Sequence, residues 1–158
     1  MNHSFKVGLS FGITSGVITT LGLMIGLYAG THSKLVVLGG VLTIAIADSL
    51  SDAMGIHISE ESENVHTHKE IWISTISTFF SKLICAISFI IPLIFFSLDI
   101  ATIISVIWGL LLLGIFSYYI AVEQKTKPFK VITEHLLLAL LVIVLTYFVG
   151  NSINSIFC

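Results

Sequence analysis

The sequence predicts an all-α integral membrane protein of five spanning helices, and three observations predict it. Hydrophobic residues make up 56% of the 158 residues and charged residues 10%, with a mean hydropathy of +1.05; one soluble core of this size could not hold so much apolar surface. The apolar residues gather into five runs, each about as long as the ~20 residues that a helix needs to cross a bilayer. The breaks between them, 31–34, 60–70, 97–99 and 123–130, are short and polar. None is large enough for an extra domain, so 1–158 reads as a single transmembrane domain.

The first run, 6–30, carries Gly8, Gly12, Ser15, Thr19, Gly22, Gly26 and Gly30 at spacings of three and four, which places them on one helix face. Two readings stand: tight packing against another helix, or a packed contact in which Ser15 and Thr19 also supply oxygens to a pathway. The run is too long and Gly-rich for a cleaved signal and is expected to stay as a spanning helix.

The second run, 35–58, holds Asp48 and Asp52 one turn apart, with His57 as its only other ionisable residue. A carboxylate inside a bilayer is costly, normally faces a cavity or a partner, and marks a path for ions or protons. Asp48, Ser51, Asp52, Gly55 and Ser59 share a face, while His57 points away. Carboxylate and hydroxyl oxygens suit a hard divalent cation, and carboxylates four residues apart can reach one ion or share one proton. Like charges that close in a low dielectric titrate as a coupled unit, so metal entry would expel a proton.

The third run, 71–97, puts Ser74, Ser77, Thr78, Ser81, Cys85 and Ser88 on one face with Lys82 at its edge. Counting equal distances back from the 60–70 loop, at ~1.5 Å per residue, brings Lys82 to the depth of Asp48. Lys82 is therefore a candidate counter-charge. A buried Asp–Lys pair would neutralise both groups without a ligand, either statically or as a contact broken and remade during transport. The fourth and fifth runs, 101–122 and 131–150, complete the bundle; Glu134 and His135 begin the last one near the interface, where snorkelling costs little.

The 60–70 loop gathers Glu60, Glu61, Glu63, His66 and His68. These side chains could capture a transition metal at the entrance of a pathway, or they could simply be solvated. With a cytoplasmic N-terminus that side would hold Lys6, Lys69, Lys125, Lys127 and Lys130, against Lys34 opposite. Positive-inside bias thus predicts N-in and C-out and a cytoplasmic loop. The net charge of −2 and the absence of a basic run argue against a nucleic-acid partner. Cys85 and Cys158 lie too far apart in sequence to indicate a disulfide framework or a CxxC metal site.

The run from Gly8 to Leu27, GLSFGITSGVITTLGLMIGL, and the run from Ala47 to Glu63, ADSLSDAMGIHISEESE, resemble the vacuolar iron transporter family, helped by Tyr147 to Gly150 at the close. The chain looks like a short form of that family, with eleven residues in place of the glutamate-rich cytoplasmic domain of the plant and protist members. The resemblance implies a five-helix, proton-coupled exporter of ferrous iron and sometimes manganese, dimeric through the first two helices. The chain departs from the pattern in having Ser15-Gly16 where the family usually has Asp-Gly, Ser51-Asp52 where it often has Ser-Met, and Ile44 where a glutamate is usual.

The expectation is therefore a homodimeric secondary transporter, not an enzyme. It would export ferrous iron or manganese from the cytoplasm against protons and hold no permanent cofactor. Asp48 and Asp52 would be its central ligands, aided by Ser51, Ser15 and Thr19. The alternative is a non-transporting membrane scaffold or sensor built on a structural Asp48–Lys82 pair. Small size and the missing cytoplasmic domain point to a prokaryotic plasma membrane.

Overall fold

A computed structural model describes residues 3–157, which leaves Cys158 outside the described residues. The elements are α1 (His3–Thr31), α2 (Lys34–Ser62), α3 (His68–Ser88), α4 (Ile90–Phe95), α5 (Leu98–Glu123) and α6 (Pro128–Phe157). Among the described residues no strand forms. Five helical stretches are long and apolar enough to cross a membrane, α3 and α4 together making the third, His68–Phe95. The chain is thus all-helical, with the five spans that the hydropathy predicts.

The helices run past the apolar stretches because local chemistry ends them elsewhere. Ser33 caps α2, its Oγ accepting from Val36 N at 3.5 Å, and Thr67 and Glu70 close a reciprocal capping box at the start of α3. Pro128 opens α6, where its missing N–H costs nothing. Pro92 has the opposite effect. It cannot donate to the Ser88 carbonyl one turn back, and the third span breaks at Phe89. Asn64 and Lys125 take positive φ of 56° and 55° just beyond α2 and α5, ending both helices in the left-handed turn.

Helix α1 is the centre of the bundle, packed by α2, α3, α5 and α6. Its glycines serve two neighbours in turn. In the first half, a Cβ on Gly8 or Gly12 would strike the α3 backbone and the hydroxyls of Ser77 and Ser81. In the second half, Gly22, Gly26 and Gly30 meet Val142, Thr146 and Gly150 of α6. The Gly face is therefore consumed inside the chain, where lipid gives helices no hydrophobic drive to associate and close backbone approach supplies the attraction. Val17, Leu21, Met24, Val37, Phe89, Leu93 and Leu113 fill the remaining core.

Polar contacts tie the two ends of the bundle. At one end Lys6 pairs with Glu123, and the rings of His3 and His66 stack with centroids 6.4 Å apart. At the other, Tyr28 donates to Asp99 at 2.9 Å, Lys34 to the Phe96 carbonyl at 2.9 Å and Asn154 to the Gly30 carbonyl at 3.0 Å.

Candidate functional site

Lys82 is 1% exposed, one of the largest fully buried side chains among the described residues. It stands on the α3 face that α1 covers, and the missing side chain of Gly16 leaves room for its stem: a Cβ there would lie 3.3 Å from Lys82 Cγ. The ammonium makes ion pairs with both Asp48 Oδ2 and Asp52 Oδ2 and donates to Ser15 Oγ at 2.9 Å. Ser15 in turn donates to Asp52 Oδ2 at 2.6 Å. Three helices thus bring one ammonium, two carboxylates and one hydroxyl together within the bundle.

The two aspartates are not equivalent. Asp52 accepts hydrogen bonds from Ser15 and Lys82, whereas Asp48 Oδ2, although in ion-pair contact with Lys82, is buried without an aligned donor. One ammonium can balance only one of the two carboxylates. When both are ionised the cluster is short of positive charge in a region where unpaired charge is expensive.

The other expected ligands stand apart from this cluster. Ser51 is exposed on the outer face of α2, and the Thr19 hydroxyl donates to the Ser15 carbonyl at 2.9 Å. On α3 the hydroxyls of Ser74, Ser77 and Thr78 donate to carbonyls of their own helix at 2.8 to 3.0 Å. These three hydroxyls are spent on local bonds within the helix.

The expected entrance divides. His66 Nε2 lies 3.7 Å from Glu60 Oε2 and 3.4 Å from Glu63 Oε2, and Glu60 is 7% exposed. His68 is engaged elsewhere, accepting from Trp72 Nε1 at 3.3 Å, and Glu61 is exposed. Among the described residues no three His, Cys, Asp or Glu side chains converge closely enough to hold a metal ion. His57 lies on the other side of α2, its Nδ1 2.9 Å from Thr75 Oγ1.

Two features were not read from the sequence. An open apolar groove of about 610 Å³ runs between α1, α2 and α6, from Gly150 and Ile153 to Thr19 and Ile44, one helical turn short of Ser15 and Asp48. On α2, Gly39, Thr43, Ala47, Ser51, Gly55 and Ser59 recur every fourth residue, all exposed. The sequence does carry this second stripe, but three of its six positions, Ser51, Gly55 and Ser59, also fall on the aspartate face, which masks it. No protein-family model and no curated protein matches the chain.

Proposed function

We propose that the protein is a proton-coupled secondary transporter that carries a divalent transition-metal cation, ferrous iron or manganese, out of the cytoplasm. The observation that carries this reading is the Lys82–Asp48–Asp52 cluster, in which a single buried ammonium faces two carboxylates. A group of this kind inside a spanning bundle has a use when a cation or proton comes and goes. Asp48, Asp52 and Ser15 would give the ion oxygen ligands, with water completing the shell. Loading the metal releases a proton from the coupled carboxylates, and unloading takes one back.

The route implied by this reading is asymmetric. Towards the 60–70 loop α2 presents Ser51, Gly55 and Ser59 and ends at Glu60, with Glu63 and His66 beside it as a metal entrance. Towards the opposite end the groove beyond Thr19 and Ile44 is apolar. This fits a resting form open to the cytoplasm, with the N-terminus inside, in a prokaryotic plasma membrane. A homodimer is part of the proposal. The small-residue face of α2 is polar at Thr43, Ser51 and Ser59, and Asp48 and Asp52 border it with side chains 25% and 20% exposed. Lipid is a poor cover for such a face and a second copy of α2 a good one. The resemblance to the vacuolar iron transporters supports the same assembly and cargo.

The contact of Lys82 with both aspartates also favours a second reading, a membrane scaffold or sensor in which the cluster only holds α1, α2 and α3 together. Flux decides between them. Proteoliposomes challenged with iron, manganese, zinc and calcium, with internal pH recorded in parallel, should show metal uptake matched by proton movement for iron or manganese. No metal-dependent proton movement with any of the four supports the scaffold.

A further inference from the structure

Charge counting at Lys82 goes a step further, resting on the transport reading above. Once the proton exchanged for the metal has left, with the ammonium seated against Asp48 and Asp52 and both carboxylates ionised, the cluster holds one net negative charge. A monovalent cation would bring it to neutrality. A divalent cation would leave a net positive charge in a low-dielectric site, and it would meet a lysine already on the two oxygens it needs.

We infer that Lys82 is a tethered competitor that sets the valence of the cargo: a divalent cation binds Asp48 and Asp52 only by displacing the Lys82 ammonium. Three observations support this. The ammonium touches both carboxylates at once, on the oxygens a bridging ion would use. Ser15 Oγ accepts from Lys82, so the same hydroxyl is free to turn its lone pairs to an incoming metal once the ammonium leaves. The lysine stem packs against Gly16, which has no side chain of its own to lock the stem in place. A permanent structural clamp would be served by an arginine fork, which holds two carboxylates rigidly; a flexible lysine suits a group that departs.

Mn2+ binding to the purified full-length protein in nanodiscs tests this, with Lys82→Gln, Lys82→Arg and Asp52→Asn alongside the wild type. Lys82→Gln removes the competitor and should tighten Mn2+ binding about tenfold or more, because two carboxylates then face the ion alone. Lys82→Arg should bind no more tightly than the wild type, and Asp52→Asn should abolish binding. Equal affinity in wild type and Lys82→Gln, with binding still lost in Asp52→Asn, overturns the competitor and leaves the transport reading standing. No Mn2+ binding in any form removes both. Lys82→Gln also strips Asp48 of its counter-charge and can unfold the bundle, so a measurement on the wild type is paired with it. Acylation of Lys82 by acetic anhydride, read by mass spectrometry, should be slow without Mn2+ and rise clearly at saturating Mn2+. Unchanged protection at saturation contradicts displacement.

Discussion

Ser15 on α1 donates a 2.6 Å hydrogen bond to Asp52 on α2 while accepting from the ammonium of Lys82. The hydroxyl orients Asp52 and fixes the distance between the helices. Ser15→Ala deletes a donor to a charged acceptor that is largely shielded from water, so it should destabilise the protein by about 0.5–2 kcal/mol. Chemical unfolding in detergent micelles measures this, and a Ser15→Thr variant, which keeps the hydroxyl, should recover most of the loss.

The glycines of α1 are expected to differ sharply from those of α2. A side chain on Gly12 collides with Ser81 and with the Thr78 carbonyl at 2.7 Å, which would push α3, and Lys82 with it, away from the aspartates. Gly12→Val should cost about 2 kcal/mol or more. A side chain on Gly39 or Gly55 meets nothing within 4 Å. Gly55→Leu should leave the fold of the single chain within about 0.5 kcal/mol of wild type and shift the particle from dimer to monomer in analytical ultracentrifugation. A Gly55→Leu protein that remains a dimer argues against the α2 contact.

Exchange of Lys82 and Asp48 tests the cluster as a clamp. If the cluster is a clamp, Lys82→Asp with Asp48→Lys should restore the stability that either change alone removes, each single change leaving an uncompensated buried charge worth about 3–5 kcal/mol. The transport account expects the exchanged protein to fold and yet move no metal, since the carboxylate on α3 no longer adjoins Asp52 on α2.

The cap of α3 sets the 60–70 loop. The Thr67 hydroxyl accepts from Glu70 N at 3.4 Å while the Glu70 carboxylate accepts from Thr67 N at 2.9 Å. Thr67→Ala should cost about 1 kcal/mol and raise hydrogen exchange across residues 64–70 without changing exchange at Lys82.

The five spans were legible because twenty apolar residues leave few alternatives to a membrane helix, and the depth of Lys82 followed from counting along two helices joined by one loop. That Lys82 meets both aspartates was not legible. It depends on how far α1 lets α3 approach, which Gly8, Gly12 and Gly16 decide in three dimensions. The Gly face of α1 read as one surface, yet α3 takes its first half and α6 its second, because a helix stripe does not say how many partners share it. Ser74, Ser77 and Thr78 share a face in the sequence, and their hydroxyls donate to their own helix, a choice that periodicity does not encode. The break at Phe89 had a visible cause in Pro92, hidden by a continuous apolar run.

Metal flux through the aspartates is the most direct test of transport. Asp48→Ala and Asp52→Ala, reconstituted in liposomes and confirmed to keep the oligomeric state of the wild type, should each sharply reduce manganese and iron uptake together with the accompanying proton movement. Undiminished flux in both variants would contradict the account.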